Sequence, residues 1–218
     1  MGRPKVTIVS PCWKRPARTR RLINNILAQN INGWEAFIIG DGCPIFQTLI
    51  DSGEADFYMK LAQEKGNILY IANAENHTGN WGQAITDYVI DNATGEYFLF
   101  VGNDDRLLPN HFEHYLSEIE NTDYDLVAYN SDIMPENRIL IPKWEGCQVG
   151  HGNIIIKTDT LKKAPKVQAS STHDWSLIDE LIKMGAKTKL ADSQQCTYLV
   201  TSVNSQTQNE SVKVDIID

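Results

Sequence analysis

The chain of 218 residues is 42% hydrophobic, enough to fill one sizeable core, which excludes a small disulfide-stapled module. Its 20 Lys and Arg face 28 Asp and Glu, a formal net charge of −8; composition supplies no basic stripe for a nucleic-acid backbone, although a lone nucleotide can be held where a cation or a helix N-terminus offsets its charge. Apolar runs such as Tyr97 to Val101 fall far short of the roughly 20 residues of a membrane span, so the expectation is a soluble protein with no transmembrane segment and no nucleic-acid partner.

In chain order, Val6 to Ser10 reads as a buried strand, and Ala17 to Gln29 as a helix with Leu22, Ile23, Ile26 and Leu27 on one face. Ala36 to Gly40 and Ile68 to Ala72 are two further strands rich in Ile, Phe and Tyr. Gly82 to Asn92 repeats the helical pattern with Ala84, Ile85, Tyr88 and Val89, and Tyr97 to Val101 returns to strand. Strands alternating with helices predict an α/β fold with a mainly parallel sheet covered on both sides. The later half reads as strands at Leu126 to Tyr129, Asn153 to Ile156, Lys187 to Ala191 and Thr197 to Val200. A helical turn at Thr160 to Lys163 and a helix from Trp175 to Met184, ended by Gly185, lie among them. No linker or repeat divides the chain, so residues 1–200 are expected to form a single domain, followed by a polar tail at 201–218.

The apolar stretch after the basic N-terminus, Val6 to Val9, is too short for a signal-peptide core. Cys12, Cys43, Cys147 and Cys196 lie far apart without a C-x-x-C pair, which argues against a zinc knuckle and for reduced thiols in a cytoplasmic protein.

Ligands of parallel α/β sheets gather beyond the C-terminal strand ends, and the candidate motifs lie there. Gly102-Asn103-Asp104-Asp105 follows a strand directly. One carboxylate of such a pair suits a divalent cation and the other a ribose or sugar hydroxyl, because Mg²⁺ and Mn²⁺ prefer oxygen ligands; the same residues also suit a turn and helix cap. Asp41, in Ile38-Ile39-Gly40-Asp41-Gly42, reads either as an acceptor for a base or ribose or as a turn-forming Asp-Gly. Ser10 to Arg15 offers backbone groups, the aromatic face of Trp13 and the cations Lys14 and Arg15, with Trp13 in the core as the plainer reading. The glycines of Asn76-His77-Thr78-Gly79-Asn80-Trp81-Gly82 permit close approach of backbone to a ligand, although neither G-x-G-x-x-G nor a P-loop is present. Asp174, in His173-Asp174-Trp175, is either a helix cap or a general base facing a cleft, with His151 and His173 as candidate orienters or ligands.

In their order and spacing these motifs resemble the family 2 glycosyltransferases, enzymes of GT-A fold that use nucleotide-diphosphate sugars. The resemblance rests on V-T-I-V-S-P-C-W-K-R, W-E-A-F-I-I-G-D-G, N-H-T-G-N-W-G, G-E-Y-F-L-F-V-G-N-D-D-R-L-L-P, G-H-G-N-I-I-I-K and H-D-W-S-L, and spans residues 5 to 200. It implies a Rossmann-like nucleotide-binding half in which Pro11, Cys12, Arg15, Asp41, Asn76, Gly79 and Asp104 bind the nucleotide. It further implies that Asp105 ligates Mn²⁺ or Mg²⁺ and that Asp174 is the base of an inverting, single-displacement transfer from a nucleotide-diphosphate sugar to a glycan or other hydroxyl acceptor. Two departures stand out: Asn103 occupies a position where a carboxylate is common, and Gly40-Asp41-Gly42 lacks a second acid. A nucleotidyltransferase and a non-catalytic sugar-nucleotide or glycan-binding protein are the alternatives.

Overall fold

Continuous apolar runs become strands buried on both faces, and the amphipathic segments between them become helices that cover the sheet. The computed structural model describes residues 3–77, 82–134, 136–146, 148–167 and 173–201. The first part of the chain is β1 (Val6–Cys12), α1 (Pro16–Leu27), β2 (Trp34–Gly40), α2 (Pro44–Asp51), α3 (Glu54–Glu64), β3 (Ile68–Asn73) and α4 (Gln83–Asn92). Next come β4 (Tyr97–Phe100), β5 (Arg106–Leu107), α5 (His111–Ile119), β6 (Leu126–Ala128), β7 (Ser131–Met134) and β8 (Arg138–Leu140). A 3-10 turn at His151–Asn153 leads into β9 (Ile154–Lys157), α6 (Thr158–Leu161), α7 (His173–Lys183), β10 (Thr188–Leu190) and β11 (Tyr198–Thr201). Thr201, expected in the polar tail, thus closes a strand.

The main sheet has seven strands in the order β10-β6-β9-β4-β1-β2-β3. β1 pairs in parallel with β2 and β4, β2 with β3, and β10 with β6, whereas β9 runs antiparallel to both β4 and β6. This is the expected mainly parallel α/β sheet, with one reversed strand. Successive residues point to opposite faces. Ile8, Ile38 and Leu99 join Leu22, Ile26, Phe112 and Tyr115 of α1 and α5 in one apolar layer. Val9, Phe98 and Phe100 join Val89, Leu161, Ile178 and Leu181 of α4, α6 and α7 in the other.

A second, four-stranded sheet has the order β5-β11-β7-β8. Here β11 pairs antiparallel with β5, placing Tyr198 opposite Leu107, and parallel with β7. Through β5 this sheet is joined to the Gly102–Asp105 segment. No described helix is long and apolar enough to cross a membrane.

Candidate active site

The chain runs outward from β1 through β2 to β3 and then returns to lay β4 on the other side of β1. Where strand order reverses in this way, the loops leaving the two central strands diverge and open a crevice beyond their C-terminal ends. Cys12 to Arg15 and Gly102 to Asp105 leave β1 and β4 there, and Asp41 leaves β2. Because β9 is antiparallel, its beginning rather than its end lies at this edge, so the Gly150–Asn153 turn joins them.

Lys14 and Arg15 have φ values of 56° and 54°, an uncommon left-handed pair for residues with a Cβ. The Lys14 N–H donates to Cys43 Sγ at 3.3 Å and the Arg15 carbonyl accepts from Thr19 N–H at 3.0 Å, which holds the bend in place. The bend delivers the Arg15 guanidinium to the carboxylate of Asp104. From α1, Arg21 Nη2 donates to the Asp104 carbonyl at 2.8 Å. Burial depresses the Arg21 pKa, as do Arg106 and Arg18, while Asp105 and Asp104 counter the effect. Two guanidinium groups thus reach Asp104, Arg15 at its carboxylate and Arg21 at its carbonyl.

The Asp105 carboxylate accepts from the Tyr198 hydroxyl, which in turn accepts from Gly102 N–H at 3.4 Å. Burial first, and then Asp105, push the Tyr198 phenol well above its ordinary range, so it stays a donor. A Cβ on Gly102 would lie 2.6 Å from Asp105 Oδ2 and 3.1 Å from Asp104 Oδ1, so the tight turn puts both carboxylates against the same backbone. Asn103 is buried, with its amide toward Thr19 Oγ1 at 3.5 Å.

Among the described residues no group of three or more His, Cys, Asp and Glu could hold an ion alone. Mg²⁺ bound with a nucleotide commonly uses one or two carboxylates and completes its shell with phosphate oxygens and water, and Mn²⁺ favours the same oxygen donors. The acids after β4 fit a cation shared with a diphosphate and do not fit a stand-alone cage.

On the β2 side, Asp41 is buried, with its N–H bonded to the Cys12 carbonyl at 2.9 Å and its Oδ2 2.9 Å from His77 Nδ1. His77 stacks on Trp13 with ring centroids 3.9 Å apart. Trp13 is 37% exposed at the crevice and is not in the core. Gly42 has φ 63° and no space for a side chain, since a Cβ would fall 2.2 Å from His77 N; this glycine lets the His77 backbone close over Asp41. Pro11 packs against Gly82, where a Cβ would lie 2.3 Å from the proline Cβ. The Cys12 side chain is fully buried and burial pushes its thiol up to about 12, so only its backbone is presented. Asn76 is exposed, and Gly79 lies outside the described residues.

On the β9 side, Asp174 stands in the first turn of α7 and reaches across to the Gly150–Asn153 turn. Its Oδ1 is 3.0 Å from His151 Nδ1 and its Oδ2 accepts from His151 N–H at 3.2 Å. The His151 ring stacks on Phe100, the last residue of β4, at 4.0 Å and 11°. One histidine thus grips both carboxylate oxygens and is itself fixed to the strand that carries Asp104 and Asp105. His173 opens the same helix, but its side chain lies outside the described part. Tyr198 and Arg21 escape a reading of the sequence, because each reaches the site through contacts between distant segments and neither lies in a motif, whereas His77 lies in the Asn76–Gly82 motif but its contact with Asp41 does not show there.

The family model described as Glycosyl transferase family 2 matches residues 7–144. An "Uncharacterized glycosyltransferase" of Rickettsia felis is 31% identical over 123 residues, covering 55% of this chain and 18% of that protein. The "Putative colanic acid biosynthesis glycosyl transferase WcaA" of Escherichia coli is 24% identical over 136 residues, 62% of this chain and 45% of that one. The chain thus spans less than half the length of these curated relatives. Among solved structures, S. aureus TarS 1-349 in complex with UDP-GlcNAc superimposes with a TM-score of 0.72 at 15% identity, over 93% of this chain and 60% of that chain. Mannosyltransferase PcManGT from Pyrobaculum calidifontis, in complex with GDP-Man and Mn²⁺, gives 0.68 at 11% identity, over 92% and 57%. These structures share the fold.

Proposed function

The chain belongs to glycosyl transferase family 2, and from that premise we propose that it moves a sugar from a nucleotide-diphosphate donor to an acceptor hydroxyl with inversion at the anomeric carbon. The observation that carries the proposal is the convergence, at one sheet edge, of Asp41, Arg15, the Asp104–Asp105 pair and the His151-bound Asp174. Two proteins of the same fold were solved with such donors, one with UDP-GlcNAc and one with GDP-Man and Mn²⁺.

In this reading Asp41 accepts hydrogen bonds from the base or ribose, and Trp13 and His77 flank it. Pro11, the Cys12 backbone, Asn76 and Gly79 complete the nucleoside side. Arg15 exchanges its partner Asp104 for the donor's diphosphate, which frees Asp104 for the ribose or sugar hydroxyls. A bound Mn²⁺ or Mg²⁺, ligated by Asp105, supplies positive charge against the diphosphate. Asp174, oriented by His151, takes the proton of the acceptor hydroxyl as that oxygen bonds to the anomeric carbon and the bond to the diphosphate oxygen breaks. Residues 1–200 are proposed to act as one catalytic domain in the cytoplasm, where the free Cys12, Cys43 and Cys196 stay reduced.

The test incubates the chain with UDP- and GDP-sugars, Mn²⁺ and a panel of glycan and alcohol acceptors, and identifies both products. A glycosylated acceptor plus nucleoside diphosphate is the expected outcome. Release of pyrophosphate makes the protein a nucleotidyltransferase instead, and donor binding without turnover on any acceptor makes it a binding protein.

A further inference from the structure

Tyr198 lies on β11 in the second sheet, 93 residues beyond Asp105, yet its hydroxyl donates to the Asp105 carboxylate and accepts from Gly102 N–H. Two features of the fold make this contact. Pairing of β11 with β5 sets Tyr198 opposite Leu107, and Leu108 N–H donates to the Thr197 carbonyl at 3.0 Å, so the backbone of Tyr198 is registered against the residues just after the acid motif. The ring, 4% exposed, packs against Gly152, where a Cβ would fall 2.1 Å from its Cζ and hydroxyl oxygen. Gly152 follows His151, so one turn seats the tyrosine that holds Asp105 and carries the histidine that holds Asp174.

We propose that Tyr198 is a positioning residue for the divalent cation, fixing the Asp105 rotamer and the tight Gly102–Asp105 turn from behind. The inference rests on the reading of Asp105 as a ligand of a nucleotide-bound ion. Partners that orient a ligating carboxylate govern metal affinity while touching neither metal nor substrate. The hydroxyl is the part that matters. The ring's apolar contacts survive in Tyr198→Phe.

The test compares wild type with Tyr198→Phe in Mn²⁺ titrations followed by the EPR signal of free Mn²⁺, with UDP or GDP present. Removal of an orienting partner is expected to weaken Mn²⁺ binding by roughly 10- to 100-fold. Nucleotide binding without metal and the melting temperature should stay near wild type. Donor KM should rise at limiting Mn²⁺ and recover at saturating Mn²⁺. In an Asp105→Asn background the tyrosine substitution should add nothing, because the interaction it removes is already lost. Mn²⁺ affinity equal to or tighter than wild type in Tyr198→Phe, or an equal loss in the Asp105→Asn background, overturns the proposal. If Tyr198→Phe yields no folded protein, Gly152→Ala, whose methyl group displaces the ring and with it the hydroxyl from Asp105, is compared with wild type for Mn²⁺ affinity beside metal-free nucleotide binding, and unchanged Mn²⁺ affinity overturns the proposal. A wild-type chain that takes up no Mn²⁺ with either nucleotide overturns the parent reading as well, which separates the two failures.

Discussion

Replacing Asp174 by Asn changes one oxygen into an amino group and leaves the volume of the side chain almost untouched. The carboxylate accepts from His151 Nδ1 at 3.0 Å and from His151 N–H at 3.2 Å, and the amide of the Asp174→Asn variant retains one acceptor for this grip while losing the capacity to take a proton. A positioned general base contributes roughly 10²- to 10⁴-fold. At 1.36 kcal/mol per decade that is about 3–5 kcal/mol of barrier. Donor binding should be spared, since Asp41, Arg15 and the Asp104–Asp105 pair are held by β1, α1, β2, β4 and β11 and not by α7. The assay measures initial rates of nucleoside-diphosphate release with acceptor present, beside calorimetric titration of UDP or GDP. Turnover of Asp174→Asn within tenfold of wild type, with donor affinity unchanged, would refute the base assignment and the reasoning from the His151 grip.

Glu35 is 2% exposed and accepts from Thr7 Oγ1, from Thr94 N–H and Oγ1, and from Gly95 N–H; Glu35→Ala strands these donors and should cost about 3–5 kcal/mol in urea unfolding. Gly82→Ala should drive Pro11 out of place, lowering both nucleotide affinity and stability by roughly 1–3 kcal/mol. Gly66, with φ 77° and open space around it, is the control that carries only the backbone cost. His111 is pushed by burial, and then by His114, down to about 3, so below its ordinary pKa of 6.5 the unfolded chain binds a proton that the folded chain refuses. Stability is therefore present above the unfolded value and is lost as pH falls toward the folded one. Between pH 7 and pH 4 this residue alone should remove about 3 kcal/mol, at 1.36 kcal/mol per unit. Denaturant unfolding at the two pH values checks this, with His111→Asn expected to flatten the difference.

β1, β2, β3, β4, α1, α4 and α7 were legible within a few residues, since strands buried on both faces are uninterrupted apolar runs and helices on such a sheet show one clear stripe. α5 was not. Its buried stripe includes His111 and His114, whose Nδ1 atoms both meet Thr197 Oγ1 at 3.0 Å, and two polar residues in the core conceal the period from a hydropathy reading. α2 and α3 bury few residues, Phe46 and Leu49 in the first and Ala55, Tyr58 and Ala62 in the second, too little to impose a pattern. β5, β7 and β8 exist only through tertiary pairing. The site divides in the same way. Asp41, Asp104 and Asp105 follow strand ends and so announce themselves, whereas Asp174 opens a helix and reads also as its cap, and His77, Arg21 and Tyr198 matter through where the fold brings them. Trp13 shows the limit from the other side, because a large aromatic at a strand end is compatible with core and with crevice until its neighbours are known.

The reversal of β9 explains why the proposed base and the acid motif meet at all. In a wholly parallel sheet the segment before a strand emerges at the edge opposite the crevice, so a Gly-His-Gly-Asn turn preceding such a strand would lie a full strand length from Asp105. Running antiparallel between β4 and β6, β9 instead starts where β4 ends, and neighbouring strands are only about 4.8 Å apart. His151 can therefore lie flat on Phe100 and hold Asp174 beside the loop that carries Asp104 and Asp105. A single displacement requires this proximity, because the group that takes the acceptor proton and the groups that bind the donor must act on one carbon. It also makes the register of β9 a functional quantity: slipping Ile155 from Leu99 by one residue would exchange the two faces of the strand, break both apolar layers and draw the His151 turn away from the crevice.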